Sequence, residues 1–180
     1  MISESQYWIS DLQKNVEFFH SKLDQRVWRE ASFGALEKRI MLSCYIVRKL
    51  FESNKVTPEN FNAPVVMYAY KGNGKVVDFL NSHRIDELYE TQAPEVTTKP
   101  FSFVINQIIH SFVFTFVFDA PNQVTGIIFN SDRSKKNSLF LLKLKDLIDV
   151  LSPIAQCYIG KTVFQRNENG EMVLVHAEPA

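Results

Sequence analysis

The sequence predicts an α+β fold: an N-terminal antiparallel helical hairpin packed on a mainly antiparallel β-sheet of about six or seven strands that can curve into a partial barrel. Three observations predict it. Apolar residues near the N-terminus recur every three or four positions; downstream, short β-branched and aromatic runs alternate with polar turns; and a 46% hydrophobic content supplies enough apolar surface for a packed core. The length of 180 residues (20.8 kDa) fits one domain over residues 1–180, with the helical hairpin at about 5–54 and the β-rich part at about 64–177.

Ile9, Leu12, Val16, Phe19 and Leu23 share one helical face and predict a helix over Ser5–Leu23. Ser32 is a possible N-cap for a second helix, which carries Leu36, Ile40, Cys44, Val47 and Phe51 inward and ends before Asn54. Trp28, in the connection between them, is of an interface-prone type, but its commoner role is to cover the open end of the hairpin. Thr57-Pro58 reads as a cap followed by proline in the first turn of a short helix.

Val65–Tyr70 predicts a strand, and Lys71-Gly72-Asn73-Gly74-Lys75 a turn into a second strand over Val76–Leu80. That glycine pair is turn chemistry, because no lysine and hydroxyl of a nucleotide loop follow it. Asn81–Glu90 is expected to be a short helix and Thr91–Pro100, with its prolines, an irregular loop. Phe101–Phe118 carries no formal charge over 18 residues, the lower limit for a membrane span. Asn106, Gln107 and His110 would then sit unsatisfied in lipid, and the pattern switches to alternation after Ser111, so a helical turn followed by a strand is preferred.

Phe112, Phe114, Phe116 and Phe118 are expected to face the core from a central strand, since Val113, Thr115 and Val117 make the other face nearly apolar too. Ser111–Phe118, Val124–Asn130 and Ser138–Leu144 then form an antiparallel meander. A brief helix over Asp146–Leu151 stops near Pro153, and Lys161–Arg166 and Glu171–His176 close the chain as a hairpin around Asn167–Gly170.

Twenty basic and twenty acidic residues cancel, so no global field recruits nucleic acid or an anionic membrane. The one compact basic patch, Arg133, Lys135 and Lys136, is offset by Asp132 and reads as a solvated loop. The N-terminus lacks a secretory pattern, and Cys44 and Cys157, each in an apolar setting, read as buried free thiols of a reducing cytoplasm.

No zinc spacing joins the four histidines; the best metal-like group is His83, Glu87 and Glu90, which a helix would place on one face, although a solvated acidic face is the commoner arrangement. No cofactor motif occurs. The sharpest polar constellation is Asn106 and His110, one helical turn apart ahead of the most apolar strand. An imidazole there can act as acid or base with Asn106 orienting it, or both can simply satisfy backbone where helix gives way to strand. Arg84 and Tyr89, and the Arg48-Lys49 pair, would complete an anion pocket if the fold brought them to His110.

The expected role is therefore a cytosolic binding or protein-interaction module, homodimeric or bound to a protein partner, with no membrane and no strong nucleic-acid signal. The alternative is a small-molecule or phosphodiester-acting enzyme centred on His110 and Asn106. The absence of well-marked catalytic motifs leaves the enzyme question open, because catalytic sets also assemble from distant positions.

Overall fold

The computed structural model describes residues 2, 4–119, 122–157 and 159–179. Helix α1 (Ser5–Leu23) and helix α2 (Glu30–Glu52) are antiparallel: Trp8 meets Tyr45 at a ring separation of 6.3 Å, while further along α1 Asn15 receives a 2.8 Å bond from Arg39. The first helix has the predicted bounds. The second starts earlier, with Arg29 rather than Ser32 at its N-cap, because the backbone of Arg29 is already extended and Ser32 donates into the first turn. Trp28 closes the hairpin: its indole N–H donates to the Gln25 carbonyl at 3.1 Å and its ring stacks on Phe33 at 5.1 Å.

After the short helix α3 (Pro58–Phe61), capped by the Thr57 hydroxyl as proline at its start predicts, the chain builds β1 (Pro64–Lys71), helix α4 (Ile85–Leu88), β2 (Glu95–Pro100), helix α5 (Phe101–Ile109), β3 (Ser111–Asp119), β4 (Gln123–Ser131), β5 (Ser138–Lys143) and helix α6 (Leu144–Gln156). The sheet has five strands rather than the six or seven expected, antiparallel in the order β2-β1-β5-β4-β3, because among the described residues the last two strands pair only with each other, and it is not closed into a barrel. Strands β6 (Ile159–Arg166) and β7 (Met172–Pro179) pair with each other as a separate hairpin, as their sequence predicts. The fold is α+β.

One face of the sheet carries the main core. Val65 and Met67 of β1, Ile127 and Phe129 of β4, and Phe140 and Leu142 of β5 are buried there beneath Val104, Ile105 and Ile108 of α5 and Leu147, Ile148 and Leu151 of α6. Each such side chain contributes roughly 1.5–3 kcal/mol on leaving water. Helix α1 packs on α6 more extensively than on α2, so the helical pair is built into this layer. Helix α6 runs through Pro153 instead of stopping before it. The proline is solvent-exposed, and its apolar stripe, Leu144 to Ala155, outweighs one missing backbone bond.

Four further expectations fail, for related reasons. Val76–Leu80 is not a strand: Val76, Phe79 and Leu80 are exposed, and β1 instead pairs with residues 95–100. The expected loop at Thr91–Pro100 is thus the strand β2, whose Val96, Thr97 and Thr98 are good strand formers; Pro94 lies outside it and Pro100 ends it at the sheet edge, where proline is tolerated. The helix expected over Asn81–Glu90 shrinks to Ile85–Leu88. Finally, β3 is an edge strand rather than a central one. Its phenylalanines divide: Phe114 and Phe116 pack on the main core, Phe118 is 49% exposed beside Phe33, and Phe112 joins a second cluster on the opposite face.

That second cluster, Val77, Leu88, Tyr89, Val113 and Leu139, is formed where the segment 72–90 folds across the sheet. Gly72 permits the approach: its amide bonds the Asn137 carbonyl at 2.8 Å, and a Cβ there would lie 2.2 Å from the Lys136 carbonyl oxygen. Beneath the cluster sits Asn130, fully buried. A bulge between Ser111 and Val113 interrupts the β3–β4 ladder, and the Asn130 Oδ1 accepts the Val113 amide at 3.3 Å in its place. Its Nδ2 donates to the Tyr89 hydroxyl at 2.8 Å and the Ser138 carbonyl at 3.1 Å, and the Tyr89 hydroxyl donates onward to the Lys135 carbonyl at 2.7 Å.

Replacing Asn130 by alanine strands the buried Val113 amide and takes a donor from both the Tyr89 hydroxyl and the Ser138 carbonyl, so Asn130→Ala is expected to lower the unfolding free energy by about 2–4 kcal/mol. Tyr89→Phe, which removes a single hydroxyl, is expected to cost about 1 kcal/mol. Urea denaturation of the three proteins measures this; equal midpoints for Asn130→Ala and the wild type would remove Asn130 from its structural role.

Candidate functional site

Helix α5 ends at Ile109 because His110 leaves helical geometry and passes the chain directly into β3, its amide still bonded to the Asn106 carbonyl at 3.2 Å. The apolar stripe of α5 points at the sheet, which turns Asn106 and His110 outward; both are exposed. On one side of them lies the last turns of α2, with Arg48, and on the other the β4–β5 connection, with Ser131, Asp132 and Arg133. Together with Gln107 these groups enclose an open groove of about 480 Å³ in which every lining residue is polar.

The groove walls are fixed by hydrogen bonds. Gln107 Oε1 accepts from the Ser131 amide at 2.9 Å and from the Ser134 hydroxyl at 2.7 Å, joining α5 to the β4–β5 turn. The Asp132 amide donates to the His110 carbonyl at 3.3 Å. Arg48 bridges the other side, its Nε donating to Glu52 at 3.0 Å and its Nη1 to Asn106 Oδ1 at 3.4 Å. Hydrogen bonds from Lys49 and then Arg48 hold the Glu52 carboxyl below the usual carboxylate range. Asp132 is held by Lys135 at 2.7 Å, and that ammonium also lies 3.5 Å from the centre of the Phe112 ring.

Of the residues singled out from sequence, Asn106, His110 and Arg48 therefore converge. Tyr89 and Arg84 do not line this groove. Tyr89 is buried at the Asn130 hub, where burial pushes its phenol up against a smaller opposing effect of the Asn130 bond, and Arg84 faces Glu87 across 3.8 Å on the exposed segment. The His83, Glu87 and Glu90 group loses the helix that was to align it, since only Glu87 lies within Ile85–Leu88. Among the described residues no three His, Cys, Asp or Glu side chains come close enough to hold a metal. Also among the described residues, no helix is long and apolar enough to cross a membrane.

Sequence reading missed Arg133 as a groove residue because it lies 23 positions beyond His110 and is brought back only by the β3–β4 hairpin. It also missed the buried Asn130, whose neighbours Phe129 and Ser131 give no polar pattern. A second, larger groove of about 690 Å³ runs along the outer side of α1 and α2, where Tyr7, Trp8, Leu42 and Tyr45 lie beside Lys14 and Arg39. No family model matches the chain, and neither the curated proteins nor the solved structures searched contain a match to it.

The two cysteines are free, but differ. Cys44 is buried in the main core, and desolvation pushes its thiol up to about 12, whereas Cys157 is half-buried, short of the burial its sequence setting predicts because it caps the exposed end of α6. The native state keeps the Cys44 proton where the unfolded chain releases it from about 9.0 upward. Stability carried by this thiol is thus complete below pH 9 and is lost at about 1.4 kcal/mol per pH unit as the pH rises from there towards 12. Chemical denaturation of the wild type and Cys44→Ala between pH 8 and 10 should show the steeper alkaline decline in the wild type; parallel curves would refute the burial of this thiol.

Proposed function

We propose that this protein is a cytoplasmic interaction module that works as a homodimer, with the C-terminal β-hairpin as its arm. The observation that carries this reading is the hairpin itself. Among the described residues, strands β6 and β7 make extensive contact only with each other, and Val163, Phe164, Met172, Val173 and Val175 on them are 39–57% exposed. Met172 and Val173 are adjacent in a strand and so point to opposite faces, which leaves apolar groups on both. An isolated two-stranded hairpin is at best marginally stable, and one that is apolar on both sides needs a covering layer.

The sheet offers a matching surface. On the side away from the helices, Val66 is 52% and Val96 69% exposed, and Tyr68 pairs with both Val96 and Leu141, all on that same face. Phe79 and Leu80 of the 72–90 segment are exposed as well, Phe79 lying 4.9 Å from the Phe112 ring at the β3 edge of the sheet. Two features favour a second copy as the occupant. Every copy presents both the arm and the bare face, so reciprocal placement closes a two-fold dimer in which each patch is used once. The formal charge is zero and the pI about 6.9, so two copies meet without net repulsion. The free thiols Cys44 and Cys157 support a reducing compartment.

Sedimentation equilibrium of the full chain is expected to give twice the 20.8 kDa monomer mass at micromolar concentration. The arm variant Val173→Glu and the face variant Val96→Glu should each yield a folded monomer, because each places a charge in the same apolar contact. A wild-type protein that stays monomeric at several hundred micromolar, or a dimer indifferent to both changes, would sink the proposal.

A further inference from the structure

The groove at the end of α5 has no part in that dimer contact, and its chemistry is of a different kind. We propose that it binds the phosphate group of a small phosphomonoester. Its volume of about 480 Å³ holds a phosphate together with a sugar-sized substituent.

The charge distribution favours an anion. The two acidic groups at the groove are already engaged: Asp132 with Lys135 at 2.7 Å, and Glu52 with Lys49 at 2.6 Å as well as Arg48 at 3.0 Å. Arg133 has no acidic partner among the described ion pairs, so a net positive charge remains on the lining. The C-terminal ends of α2 and α5 contribute partial negative charges nearby, which are outweighed by Arg133 together with the surplus positive charge of Arg48 and Lys49, two cations sharing the one Glu52 carboxylate.

Hydrogen-bonding capacity points the same way. Arg48 uses Nε and Nη1 within the protein and keeps Nη2 for a ligand, while Asn106, whose Oδ1 accepts from Arg48, presents its Nδ2 hydrogens. His110, exposed at the rim, adds an imidazole. A site rich in donors and poor in unpaired acceptors suits a ligand that is mainly acceptor, and the fork of a guanidinium matches phosphate oxygens in pairs. Arg48 and Arg133 converge in one concavity instead of forming a stripe along a surface, so a single terminal phosphate fits better than a polynucleotide backbone.

Titration calorimetry of the full chain at low ionic strength tests this with ribose 5-phosphate, inorganic phosphate and ribose as probes. Ribose 5-phosphate is expected to bind saturably at one site per chain, inorganic phosphate to compete with it, and ribose to give no heat. Arg133→Ala and Arg48→Gln should each weaken ribose 5-phosphate at least about tenfold, the loss of one charge-assisted hydrogen bond. Arg84→Ala, outside the groove, should leave the affinity unchanged. Arg133 is exposed, so its variant keeps the test decisive even if Arg48→Gln loosens α2. The proposal is overturned by the absence of saturation at about 10 mM ribose 5-phosphate, by wild-type affinity in Arg133→Ala, or by tighter binding of a short single-stranded oligonucleotide than of the monoester.

Discussion

The arrangement depends on one buried side chain, Asn130. A bulge removes a ladder bond between β3 and β4, and a buried amide left without an acceptor is costly. Asn130 supplies that acceptor from its own strand and spends its two donors on Tyr89 and Ser138. One side chain thus ties the β3–β4–β5 meander to the segment 72–90, which has no local reason to meet it. The bulge also brings Phe112 and Val113 both into the second cluster, which gives that segment an apolar surface to rest on.

The sheet that results has two unlike faces. Helices α5 and α6 cover most of one, with α1 packed on α6 and reaching β4 and Phe33 of α2 resting on Phe116, so the helical pair and the sheet share a single core. The other face is covered only towards the end where Tyr89, Val77 and Leu88 lie; the remainder presents Val66, Tyr68 and Val96 to solvent or half-covered. Irregular backbone can cover a sheet in this way because its polar groups find partners: Gly72 with Asn137, Asn73 with Leu88, Glu90 with Lys71.

The polar groove is coupled to the same hub through the β4–β5 turn. Lys135 accepts the Tyr89 hydroxyl on its carbonyl, while its ammonium lies over the Phe112 ring and pairs with Asp132. Ser134, one residue earlier, holds Gln107 of α5. The positions of Arg133 and Asp132 at the groove therefore follow from packing on the far side of the sheet. Around Asn106 and His110 the local sequence sets only their common face.

Periodicity by itself determined α1, the switch from α5 to β3, the β3–β4–β5 meander and the closing hairpin, because in each the apolar spacing reports which face is buried within a few residues. It also placed Asn106 and His110 together, since residues four apart on a helix share a face. Only the tertiary structure decided that β1 pairs with residues 95–100, that β3 lies at the edge, and that Arg133 rather than Arg84 or Tyr89 stands beside His110. Strand partnership and the convergence of distant side chains are choices among contacts of similar local quality. They are settled by the total burial and hydrogen bonding of the folded chain, which no short window of sequence contains.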